Sequence, residues 1–143
     1  MDLSHLQPSN APMPLDVLHP TSRKPIGLVL MVYGSDSDQY RAAGAARSER
    51  RMKLMKPGRM HLTAAELEED AIAVLVQVTA GWTWEKHCTI NGRQPVYCAT
   101  EVEALYRALP WVAEQVDSFL GDRSNFFTIP VMSSEPTASG TSE

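Results

Sequence analysis

Apolar and polar positions change period several times along this chain, and each change marks an element. Leu15, Val17 and Leu18 form a short extended run, and Ile26 to Tyr33 form a second, richer in strand-forming side chains. Thr21 to Lys24 sit between Pro20 and Pro25. Proline fixes φ and withholds a ladder donor, so this stretch predicts a polar turn joining a β-hairpin. Gly27 marks an expected bulge in the second strand. Asp36 or Ser37 then offers an oxygen to the free amides of a first helical turn, and alanine and arginine carry a helix to Lys56, where Pro57-Gly58 stops it. Tyr40, Ala43, Ala46, Met52 and Met55 give that helix a thin apolar edge, so most of its surface should face water.

The run "HLTAAELEEDAIAVLVQVTAGW" predicts the central helix, over 64–80. Thr63 and Glu66 have the spacing of a reciprocal cap, and Glu66, Glu68, Glu69 and Asp70 crowd the positive helix start, where solvated anions are favoured. Leu67, Ala71, Val74, Leu75 and Val78 recur at helical spacing, with Ile72, Val76 and Ala80 widening the stripe and Gly81 closing it. "WTWEKHCTINGRQPVYCAT" alternates around Asn91-Gly92, the signal for a tight type I′ turn, and predicts a small hairpin-like excursion anchored by Trp82 and Trp84. Two closing helices follow. Thr100 and Glu103 repeat the capping spacing, and Val102, Leu105, Tyr106 and Leu109 share one face. Pro110 ends that helix and opens the next, whose face is Val112, Val116, Phe119 and Leu120 with Trp111 at its head. The fold class is therefore α+β, mostly α: an N-terminal hairpin followed by about four helices with a hairpin-like insertion.

At 143 residues and 43% hydrophobic content the chain fits one domain, placed at residues 15–127. Proline-bearing residues 1–14 are expected to be a flexible arm, and the small, polar residues 128–143 a disordered tail. "AIAVLVQVTAGW" is too short to span a bilayer, and the first residues lack the basic start and apolar core of a secretory leader, so no membrane association is expected. The net charge of −4 hides an asymmetry: residues 1–59 hold nine basic and five acidic side chains, residues 60–143 four and twelve. Such a split favours pairing between halves, between copies, or with a charged partner.

Searching for chemistry yields little. Phosphate-binding glycine loops, a G-x-S-x-G nucleophile and an H-E-x-x-H pair are missing from the sequence. His87 adjoins Cys88, but Cys98, His5, His19 and His61 supply no spacing that completes a metal site, so no metal or cofactor is expected. The basic run from Arg41 to Arg59 raises nucleic-acid binding. With no interleaved aromatics and an acidic chain overall, a solvated face or a contact with an acidic protein surface reads better.

Two stretches, "PLDVLHPTSRKPIGLVLMVYGSDSDQYRAAGAARSER" and "ALPWVAEQVDSFLGDRSNF", together with an apolar middle helix ending in "GW", resemble the tail assembly chaperones of tailed bacteriophages. The likeness spans roughly residues 15–127. It implies a protein without catalytic residues that binds the tape-measure protein, helps recruit tail-tube subunits and works in the host cytoplasm. A structural tail or head–tail component retained in the virion, or a nucleic-acid-binding regulator using the basic helix, are the alternatives. Apolar grooves between short helices suit an apolar helical client. The expected partner or self-association surface comprises Trp111, Val112 and Gln115 together with the basic face of Arg47, Arg50, Arg51 and Lys53; Trp111 as plain core is the competing reading.

Overall fold

Residues 2–55, 57–58 and 61–127 are described by the structure, a computed structural model. Strand β1, Met13–Leu18, and strand β2, Pro25–Val32, form the expected antiparallel hairpin. The turn is held by its own side chains. His19 Nδ1 accepts from the amides of Thr21 and Ser22, at 3.1 and 3.2 Å, while Arg23 takes φ 61°. The register slips between Asp16 and Leu18, opposite the part of β2 that contains Gly27 at φ +95°. A Cβ at Gly27 would lie 2.9 Å from His87 Nε2, so this glycine serves both the backbone twist and the close approach.

Helix α1, Asp38–Leu54, is capped by Ser37, whose hydroxyl accepts from the Tyr40 amide. Helix α2, Ala64–Val78, begins with the predicted reciprocal cap of Thr63 and Glu66. Its end departs from expectation. The helix does not run to Ala80; the chain passes directly into strand β3, Thr79–Trp84, which pairs antiparallel with β2 and makes a three-stranded sheet in the order β1-β2-β3. Tyr33 N–H donates to the Val78 carbonyl at 2.8 Å, so the sheet captures the helix terminus where a glycine cap was expected. Thr79, Trp82, Thr83 and Trp84 are strand formers, and pairing to β2 outweighs a helical period that has run out of turns.

The excursion closes with Asn91 and Gly92 both at positive φ and a bridge between Ile90 and Arg93, as predicted. Trp82 ties it down by donating Nε1–H to the Pro95 carbonyl and by edge-on contact with Trp84 and Tyr97. Helices α3, Ala99–Ala108, and α4, Pro110–Gly121, complete the domain, with Pro110 in the first turn of α4. The expected cap at Thr100 does not form: α3 starts at Ala99, two residues earlier than that cap implies, with Cys98 before it and no side-chain cap.

One face of the sheet carries the core. Leu28, Leu30 and Val32 are at most 1% exposed and meet Val74, Leu75 and Val78 of α2, Val102, Leu105 and Tyr106 of α3, and Val112, Val116 and Leu120 of α4. Alternation turns Asp16, Val29 and Thr83 to the other face, which is at least partly open to water. Two expectations about the helix stripes need correction. Leu67 and Ala71 of α2, Met52 of α1 and Met55 just beyond it are exposed, because α1 packs along the side that meets α2, and α2 along the sides that meet α1, α3, α4 and β3.

Residues 1–14, expected as an arm, are partly bonded to the domain. Pro8 bridges Phe127, Ser9 N–H donates to the Phe126 carbonyl, and Asn10 exchanges two hydrogen bonds with Asp38. The tail expected over 128–143 lies outside the described residues. Phe126, 2% exposed, sits against Gly34, where a Cβ would come within 2.6 Å of the ring. Gly34→Ala is therefore expected to cost about 1–3 kcal/mol in urea unfolding. Gly44→Ala, with nothing within 4 Å, should instead stabilise α1 by up to about 1 kcal/mol.

Candidate functional site

An open groove of about 460 Å³ runs between β1 and α4. Leu15 and Leu18 come from the strand, Trp111 and Phe119 from the helix, and the exposed charges of Asp16, Arg23, Glu114 and Asp122 surround them. Gln115 fixes its two walls together. Its Oε1 accepts from Leu18 N–H at 2.9 Å, and its Nε2 donates to the Leu18 carbonyl at 2.7 Å. Leu18 lies on an edge strand, and its neighbour His19 donates N–H to the Lys24 carbonyl at 2.8 Å, so by alternation the N–H and C=O of Leu18 point away from β2, where the side-chain amide from α4 meets both.

The residues predicted as a partner surface thus divide. Trp111 is half-buried and lines the groove, with one side on the core. Val112 is fully buried and cannot meet a partner. Gln115 lines the groove but spends its amide on β1. Leu15, Leu18 and Phe119 were placed in strand and core by their spacing. What brings them into one groove is the docking of α4 on β1, which no local pattern carries.

The basic face also divides. Arg50 donates from Nε and Nη2 to one oxygen of Asp70, at 3.1 and 2.8 Å, and Arg51 Nε donates to the other at 2.9 Å. Asp70 was expected among the solvated acids of the helix start, yet its side chain is 6% exposed. Two arginines from α1 make that burial tolerable, because each carboxylate oxygen gains a charge-assisted bond. Arg41 pairs with Asp38 at 3.0 Å on the open surface. Among the described residues, Arg47 and Lys53 have no hydrogen bond or ion pair. The face is therefore partly consumed in joining α1 to α2, and Arg47 and Lys53 stay available.

Titratable chemistry is sparse. His87 covers Gly27, with its Nδ1 3.6 Å from Glu85, and the adjacent Cys88 thiol is pushed up by burial and by Glu85. This accounts for the His-Cys pair as part of a packed turn. Among the described residues no group of three or more His, Cys, Asp and Glu side chains is placed to hold a metal ion, and no helix is long and apolar enough to cross a membrane. Comparison with protein families, curated proteins and solved structures finds no match to this chain.

Proposed function

We propose that this chain is a non-enzymatic assembly chaperone of the tailed-phage kind, which holds an apolar segment of a tape-measure protein and assists tail-tube assembly. The observation that carries the reading is the Trp111 groove. A half-buried tryptophan beside Leu15, Leu18 and Phe119 offers an anchor of the type that dominates binding energy. Gln115 holds the walls in place before a client arrives, which reduces the ordering cost of binding. The sequence resemblance supplies the client. Use of Arg50 and Arg51 within the fold weighs against a nucleic-acid reader, since each neutralised guanidinium is one fewer phosphate contact.

Trp111→Ala, matched to wild type by thermal unfolding, is expected to weaken capture of purified tape-measure fragments at least about tenfold. Unchanged affinity would remove the groove from the function. Mass spectrometry of purified particles separates a chaperone from a virion component: a stoichiometric amount of the chain in the particle would favour the component.

A further inference from the structure

A second groove, of about 470 Å³, lies on the outer side of α2, α3 and α4. Exposed Pro110 and half-buried Ala113 form its accessible apolar lining over the buried Ile72, Leu75 and Tyr106, and Glu68, Glu114 and Asp117 stand exposed at it. Among the described residues none of these three carboxylates has an ion-pair partner, and Arg107, the basic residue of this groove, is already bonded to Glu103 at 2.9 Å. The groove is thus greasy within and acidic at its margin. Exposed Ala71 also lines it, and Leu67, 46% exposed, stands one helical turn before Ala71 on α2.

The same chain carries the complementary surface. The last turn of α1 and the residue that follows it expose Met52 at 75% and Met55 at 38%, beside Lys53, whose side chain has no partner among the described residues. From Arg47 to Lys53 the helix holds four basic residues and one acid, Glu49, and Asp70 offsets only one of those charges. Methionine is the apolar side chain best able to fit an irregular surface, and two exposed on one basic helix end are unusual for a face meant only for water.

We infer that a second copy of this chain docks the Met52–Lys53 end of its α1 into the acidic groove between α2, α3 and α4. The contact joins two different surfaces, so each copy both offers a helix end and presents a groove. Opposite charges steer the copies together and set their orientation, and the methionines supply the apolar burial. A chaperone for a long client gains from this arrangement, because copies held side by side act on it with raised effective concentration. The inference does not depend on that client: the Trp111 groove lies on the β1 side of α4 and borders this one at Glu114 and Ser118, while Trp111, Leu15, Leu18 and Phe119 line it alone.

Sedimentation velocity on the full chain, over roughly 1–200 µM, tests it. Wild type should show a mass that rises with concentration, and the association should weaken between about 0.05 and 0.5 M salt. Met52→Glu/Lys53→Glu and Glu68→Lys/Asp117→Lys change only exposed positions. Each should weaken self-association about tenfold or more, and an equimolar mixture of the two should regain a paired complex, since the unaltered helix end of one variant meets the unaltered groove of the other. A wild type that stays monomeric throughout overturns the inference. So does an association that neither double variant weakens, or one that their mixture fails to recover. Loss of tape-measure binding on Trp111→Ala with self-association unchanged would leave both readings standing as separate sites.

Discussion

Replacing Tyr106 by alanine is expected to cost about 3–5 kcal/mol of stability, enough to unfold a large fraction of a domain of this size. The ring is 1% exposed and sits where α3 meets the junction of α2 and β3. Its hydroxyl lies 2.6 Å from Thr79 Oγ1, and Thr79 gives its own proton to the Leu75 carbonyl at 2.7 Å. Tyr106 is therefore the donor to Thr79. Tyr97 adds a further bond from its hydroxyl to the Thr79 carbonyl. These bonds hold the residue at which the chain changes from helix to strand. Tyr106→Phe keeps the ring and leaves the Thr79–Leu75 bond intact, so it should cost only about 1 kcal/mol. Urea unfolding of both variants checks the pair. An alanine variant within about 1 kcal/mol of wild type would mean that the ring is not a core element.

The same phenol gives a pH signature. Burial pushes Tyr106 up from 10.0 to about 12. Between these values the unfolded chain has released the proton and the folded chain still holds it, so rising pH favours unfolding. The contribution of Tyr106 to stability should be level below pH 10 and fall by about 3 kcal/mol as the pH rises through 12. In Tyr106→Phe that part of the fall should vanish, which assigns it to this phenol.

Where a pattern is local, the sequence of this chain announces its structure. Ser37 and Thr63 cap their helices, Pro110 opens α4, and Asn91-Gly92 turns the excursion, each within a few residues of its partner. Strand β3 was hidden because an apolar run has no period that tells a buried helix end from a strand start, and Gly81 looked like a cap. The Thr100–Glu103 spacing misled for the opposite reason. A capping signature is available to any helix that begins there, but α3 begins at Ala99. The site followed the same division. Trp111 stood out by its chemistry, whereas Gln115 takes its role from Leu18, 97 residues away. Asp70 read as one more solvated acid because the arginines that bury it lie 19 and 20 residues earlier.

Asp70→Ala is the sharpest test of that long-range pairing, with an expected loss of about 2–3 kcal/mol. The carboxylate accepts three charge-assisted hydrogen bonds and is the charged member of the buried set. Breaking a fully buried pair costs about 3–5 kcal/mol, but Arg50 and Arg51 are 39% and 44% exposed and can regain water, so the lower figure applies. Removing one arginine leaves Asp70 the other, so Arg50→Ala and Arg51→Ala should each cost less than Asp70→Ala. Once Asp70 is gone, either arginine substitution should be nearly neutral. That non-additivity, read from a double-mutant cycle in urea, distinguishes a shared carboxylate from two independent surface contacts. Asp70→Ala also frees two guanidiniums on a helix already basic, and salt-sensitive binding to duplex DNA should rise as a result. If the variant instead keeps the stability of the wild type and binds duplex DNA no better than it does, Asp70 neither joins α1 to α2 nor masks the basic helix, and the case against a nucleic-acid role loses its main support.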